Sequence, residues 1–229
     1  MVTFSKLIYD TLEILKGNHI IDDVDLMERQ IIFHWNTQRA LWLRNEYNKP
    51  GRSIDPEIEQ DLNCMKLITV DAAECCDVNV CCNVLRTEEK IPSLLEFHNS
   101  PGITRVGLPN KISVPFTFTN YNKAMYSVSN KYSKNQVYAF LLNSYMYIIT
   151  ERTDIQMLDY INIRGVFEDP MDLEAFVCEG EPCFTLDKGY PIKSWMIPYI
   201  RAEVVKTLGP STQVPIDTSN DANDKPSQQ

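Results

Sequence analysis

The sequence predicts an α+β fold, with N-terminal helices (one of them long), a central mostly antiparallel β-sheet region, and a C-terminal helix followed by a flexible tail. Three observations carry this prediction. Up to about residue 62 the apolar side chains recur at helical spacing, and Asp and Pro punctuate the runs. From residue 63 the pattern changes to short Val-, Ile-, Tyr- and Phe-rich segments separated by Pro, Gly, Asn and Asp. The last twenty residues, 210–229, hold almost nothing to bury.

The first helix is expected over residues 3–16, where Phe4, Leu7, Ile8, Leu12 and Leu15 share a face and Gly17 serves as C-cap. A second begins at Asp22 or Asp23 and runs to Asn48, where Lys49-Pro50-Gly51 stops it. At about 1.5 Å per residue it is roughly 36 Å long. Val24, Met27, Ile31, Trp35 and Trp42 point one way, while Leu26, Phe33, Leu41 and Tyr47 spread to other sides. Such a helix must be covered on several faces, by its own fold or by neighbouring subunits. Asp55-Pro56-Glu57 signals another helix start leading to Asn63.

The strands are expected at CMKLITV, VCCNVLR, ITRVGL, SVPFTFT, QVYAFLL, YMYIITE and YINIRGVF, with Asn143-Ser144 as a tight hairpin turn. Asp169-Pro170 opens a short helix, PMDLEAFV. The last helix is SWMIPYIRAEVVKTLG, with Pro198 near its first turn and its end at Gly209. One α+β domain thus spans 1–209, helical over 1–62, β-rich over 63–168 and helical again over 169–209, and 210–229 is its tail.

Composition narrows the function classes. The net charge of −9 opposes a sequence-independent DNA binder, which needs surplus Lys and Arg to neutralise phosphates. No apolar run approaches the ~20 residues that span a bilayer, so no membrane role is expected. Met1–Lys16 lacks the pattern of a signal peptide, and without export the seven cysteines are expected to stay reduced.

Those cysteines are the strongest hint of chemistry, above all CCDVNVCC at 75–82. Cys75/Cys81, Cys76/Cys82 and Cys178/Cys183 meet the loosest spacing rule for zinc, with Cys64 nearby. Adjacent cysteines on a strand point to opposite faces, however, and DVNV lacks the Gly of a tight knuckle. Core and strand positions are the expected role, with no metal, cofactor or catalytic residue assigned. A cytosolic zinc-dependent or thiol enzyme using the cluster is the alternative. His19, His34 and His98 have no ligand spacing, and no nucleophile elbow or phosphate-cradling Gly loop occurs.

The long helix offers the better lead. WNTQRALWLRNEY places Trp35, Arg39 and Trp42 along one side, followed by Arg44, and Trp and Arg are the residues that anchor interfaces. Trp35 fits either the monomer core or an interface, whereas Arg39 and Arg44 are expected at an interface or in solvent. In the tail, Val214, Pro215 and Ile216 form the single sticky segment.

Three stretches, ERQIIFHWNTQRALWLRNEY (28–47), VDAAECCDVNVCCNVLRTEEKIP (70–92) and LDYINIRGVFEDP (158–170), resemble the neck ring or head-to-tail adaptor proteins of crAss-like bacteriophages. The resemblance runs to about Gly209. It implies a virion structural protein, made in the bacterial host cytoplasm, that forms a homo-oligomeric ring matching the portal's symmetry. Its implied partners are the portal protein and other neck or tail rings. DNA would pass through the ring without sequence-specific binding.

Overall fold

The structure, a computed structural model, describes residues 2–16, 28–70, 84–98, 100–109, 111–128, 132, 136–150 and 152–212. The expected helix start at Asp22 or Asp23, the CCDVNVCC stretch and the Val214–Ile216 segment lie outside these residues.

Helix α1 spans Phe4–Leu15 and buries Phe4, Leu7, Ile8 and Thr11 on one face. Helix α2 spans Glu28–Tyr47 and ends as expected, with Gly51 just beyond it at φ 77°. The helix expected after Asp55 is reduced to a single turn. Asp55 does act as a cap, its Oδ1 accepting from the Glu57 N–H at 3.1 Å and its carbonyl from the Ile58 N–H at 3.1 Å. Beyond it, Gln60 and Leu62 are buried while Asp61 is exposed, a strand alternation that overrides the helical start signal. Strand β1 therefore begins at Gln60 and runs to Val70.

Eleven more strands follow: β2 (Val84–Thr87), β3 (Glu96–Phe97), β4 (Ser100–Pro101), β5 (Ile103–Leu108), β6 (Lys111–Pro115), β7 (Thr117–Phe118), β8 (Tyr138–Leu142), β9 (Tyr145–Ile149), β10 (Tyr160–Gly165), β11 (Val177–Cys178) and β12 (Glu181–Pro182). Seven of them join β1 in one eight-stranded sheet of order β6-β5-β10-β1-β2-β9-β8-β7, antiparallel except for the β7–β8 pair. Its two ends are neighbours in sequence, since only Phe116 separates β6 from β7. The Phe116 N–H donates to the Val106 carbonyl of β5 at 3.0 Å, and the Thr117 N–H to the Val137 carbonyl at 2.8 Å. One strand thus pairs with β5 along its first half and with β8 along its second, and the sheet closes on itself. Closure removes the open edges that a sheet of this size would otherwise present. Leu62, Met65, Leu67, Leu85, Val106, Phe116, Ala139, Met146, Ile148, Ile161 and Ile163 belong to the main core.

The β8–β9 hairpin is buried on both faces. Ala139, Met146 and Ile148 join the main core, whereas Tyr138, Phe140, Tyr147 and Ile149 form a second cluster under helix α3 (Tyr121–Val128). That helix was not foreseen, because Asn120–Val128 has only a weak apolar face of Tyr121, Ala124 and Met125. The hairpin turn takes φ 52° at Asn143 and 65° at Ser144, the double left-handed geometry of a type I′ turn. Glycine adopts that conformation more readily than serine. Ser144→Gly is therefore expected to raise stability by about 0.5–1 kcal/mol, read as a higher urea midpoint at unchanged slope.

After the one-turn helix α4 (Thr153–Gln156) and strand β10, Asp169 and Pro170 open a 3-10 helix over Pro170–Ala175. The Asp169 carboxylate accepts from the Met171 N–H at 2.8 Å, which is the expected cap. The final helix, α5, spans Ile197–Thr212, with Pro198 in its first turn. Gly209 does not cap it. Among the described glycines only Gly51 and Gly180 take positive φ, and at Gly209 the helix continues, so it ends at Thr212 rather than at Gly209. Helices α1, α2 and α5 pack on one another, their inner faces merging with the main core through Phe4, Ile31, Leu43, Ile200 and Val204.

Candidate assembly interface

Helix α2 organises both the interior and two outer surfaces. Its inner stripe carries an unusual polar content for a core. Trp35 and Arg39 are fully buried, and Asn36 and Glu46 nearly so. The Trp35 indole N–H donates to Thr11 Oγ1 at 3.0 Å, and that hydroxyl donates to the Leu7 carbonyl at 2.7 Å. The Arg39 guanidinium donates from Nε to the Pro191 carbonyl and from Nη1 to the Phe167 carbonyl, both at 2.9 Å. Its carbon Cζ lies 5.8 Å from the ring centre of Tyr190. The Tyr190 hydroxyl donates to Asn36 Oδ1 at 2.8 Å, and Asn36 Nδ2 donates to Asp169 at 2.7 Å. Burial pushes the Tyr190 phenol well above its ordinary range, which keeps it a neutral donor. Burial also lowers the Arg39 pKa, an effect opposed by Tyr190 and Asp169, and a guanidinium stays charged under such a shift.

The core alternative is thus the one realised at Trp35. Arg39, expected at an interface or in solvent, is enclosed by the chain itself, where its guanidinium satisfies the buried Pro191 and Phe167 carbonyls. Trp42 and Arg44 remain at the surface, on different flanks of α2.

On the first flank, the half-buried Trp42 stacks on Tyr199 with ring centres 5.5 Å apart and meets Trp195 edge-on at 5.8 Å. Trp195 and Tyr199 are 47% and 57% exposed, so three large rings form one open aromatic cluster across α2 and α5. One turn further along α2, Glu46 is ion-paired with Lys49 and Arg52. The Lys49 and Arg52 side chains are 60% and 58% exposed against 8% for Glu46, so this end of the flank presents positive charge outward. Lys193, two residues before Trp195, is paired with Asp55. Trp195 and Tyr199 escaped the sequence reading, although their i, i+4 spacing beside Pro198 was a usable signal.

Glu46 and Asp55 also set a pH dependence. The hydrogen bond from Lys49 holds Glu46 below the ordinary carboxylate range, and the bonds from Lys193 and the Glu57 N–H do the same for Asp55. Both carboxyls have a lower pKa folded than unfolded, so their contribution is present above the ordinary range and lost as pH falls through the depressed values. The melting temperature is expected to decline on acidification below about pH 4, and less steeply in an E46Q/D55N double variant.

The second flank is a groove. Phe33, Thr37, Leu41 and Arg44 line one wall, Ser93, Leu95, Glu168 and Asp172 the other, and the space is about 290 Å³. The far wall is held by Leu95 N–H to Val166 carbonyl (2.9 Å) and Glu168 N–H to Ser93 carbonyl (2.8 Å). Phe33 and Leu41 are 63% and 50% exposed at its rim. No ion pair among the described residues engages Glu168 or Asp172. Burial, then the neighbouring Asp169 and Glu168 carboxylates, push the Asp172 pKa up. The groove is largely apolar, with the Glu168, Asp169 and Asp172 carboxylates on one wall and the Arg44 guanidinium on the other.

The cysteines depart from expectation at one pair. Cys64 sits in a bulge of β1 at φ 59° and is disulfide-bonded to Cys178 of β11, with Cα atoms 5.4 Å apart across 114 residues of chain. These two are therefore not reduced as expected, because the bulge turns Cys64 out towards the β11–β12 hairpin. Cys183, half-buried, keeps its thiol, 4.0 Å from the Asn63 carbonyl. Among the described residues no group of three or more His, Cys, Asp or Glu side chains is placed to hold a metal ion.

With the aromatic cluster, the groove and the enclosed polar core in place, comparison with known families is decisive. A family model described as phage tail ring protein 2 matches residues 6–226. The chain belongs to that family. No curated protein matches the chain. As a tail ring protein of the crAss-like phage type it is a virion structural component, made to assemble into a ring with other phage structural proteins. No described helix of this tail ring protein is long and apolar enough to cross a membrane.

Proposed function

We propose that this tail ring protein builds a homo-oligomeric ring in the phage neck, connecting portal to tail and continuing the DNA channel. The observation that carries this reading is the pair of unlike exposed surfaces on α2. Phe33 and Trp42 are nine residues apart, about two and a half turns, and so lie on opposite flanks of the helix. A subunit in a closed ring must contact two neighbours through two different patches, and α2 presents two. Trp42 and Arg44 are the interface positions in this reading, one on each flank. The net charge of −9 supports a passage along which DNA slides, since an acidic protein does not grip phosphates.

The ring matches the portal in symmetry and contacts both the portal protein and other neck or tail rings, after synthesis in the host cytoplasm. Val214, Pro215 and Ile216 supply an apolar segment that docks on the portal or an adjacent ring. Purified tail ring protein mixed with the phage portal protein should co-sediment as one complex, and removal of residues 213–229 should weaken that complex while leaving the melting temperature of the subunit unchanged. Separate sedimentation of the two full-length proteins would reject the portal connection, and tight binding to duplex DNA at physiological salt would reject the sliding passage.

A further inference from the structure

We propose that neighbouring subunits mate front to back through α2: the Trp42–Trp195–Tyr199 cluster of one copy seats in the groove of the next, between Phe33 and Leu41 on one wall and Glu168 and Asp172 on the other. This inference rests on the ring reading and specifies its contact.

Shape and charge both select this pairing. The cluster is exposed and aromatic, the residue class that fills pockets at interfaces, and the groove is a concave, largely apolar space of about 290 Å³. The exposed cations beside the cluster, Lys49 and Arg52, meet a groove wall whose Glu168 and Asp172 are engaged in no ion pair among the described residues. Arg44, at the groove rim, is placed to stack on an incoming ring. Cluster against cluster would set Lys49 and Arg52 against their own copies, a juxtaposition that suppresses that pairing. Because the two surfaces sit on opposite flanks of one helix, each contact leaves the complementary surface free for the next copy, and repetition closes a ring.

The test uses two variants of the full chain, each blocked on one surface. W195E/Y199E removes the cluster and F33E/L41E spoils the groove; all four side chains are about half exposed or more, so each variant folds, and unchanged melting temperatures verify it. In sedimentation velocity each variant alone should run as a monomer. The equimolar mixture should form a heterodimer, since one intact cluster and one intact groove remain between them. The proposal is overturned if the mixture stays monomeric or if either variant alone still assembles. Wild-type protein that closes into a ring while the mixture fails to pair rejects the mating but keeps the ring; wild-type protein that stays monomeric rejects both.

Discussion

Arg39→Ala is expected to destabilise the folded subunit by about 3–5 kcal/mol, the range seen when one partner of a buried charged contact is removed. Domains of this kind are stable by only about 5–15 kcal/mol in total, so the variant should unfold at a much lower urea concentration. Two effects add. The Pro191 and Phe167 carbonyls lose their donors inside the protein, and an unsatisfied buried acceptor carries its full desolvation penalty. The aliphatic stem of Arg39, fully buried against Tyr190, leaves a cavity. Arg39→Met separates the two, refilling the space without the donors, and should recover only part of the loss. Arg39→Lys should also fall short, because a single ammonium does not span two carbonyls that the planar guanidinium reaches with Nε and Nη1. Arg39→Glu places a carboxylate beside those carbonyls and near Asp169, and no folded protein is expected. A variant at this position that melts normally and fails only in assembly would contradict the buried role.

Trp35→Ala should cost a similar amount, about 3–5 kcal/mol, as removal of a fully buried large aromatic does. Tyr190, edge-on to Trp35 with ring centres 6.0 Å apart, and Thr11, which accepts the indole N–H, both lose their contact. Trp35→Phe retains most of the volume but not the hydrogen bond and should be markedly milder. Trp195→Ala gives the opposite signature, a melting temperature close to wild type with weakened assembly, because that ring is about half exposed. The thermal comparison of the two tryptophan variants distinguishes core from contact on the same scaffold. Equal losses of stability would mean that Trp195 is a folding residue as well.

The fold class was legible because it rests on periodicity. Helical spacing at Phe4, Leu7 and Ile8, the Tyr- and Ile-rich composition of YMYII, and the cap at Asp169-Pro170 all report local physics that the tertiary structure then respects. Where the reading failed, packing at a distance decided. The Asp55 cap starts a turn, yet Gln60 and Leu62 are buried in the alternation of a strand, and Gly209 continues a helix that it has the composition to end. Closure of the sheet through Phe116 left no mark in the sequence, since a residue that changes pairing partner looks like any other strand residue. Arg39 was misplaced for a related reason. A guanidinium on an aromatic-rich helix fits an interface as well as a core, and only the positions of the Pro191 and Phe167 carbonyls, more than a hundred residues away in sequence, select between them. The aromatic cluster was half seen, through Trp42 alone, because its other two rings come from α5.

Native mass determination of the purified protein, alone and with the portal protein, tests the central claim most directly. The account predicts a single closed species whose mass is a fixed multiple of the 26.4 kDa subunit, reached by wild-type protein and lost when either flank of α2 is blocked. A monomer in both conditions, or an open series of sizes that grows with concentration and never closes, would contradict it.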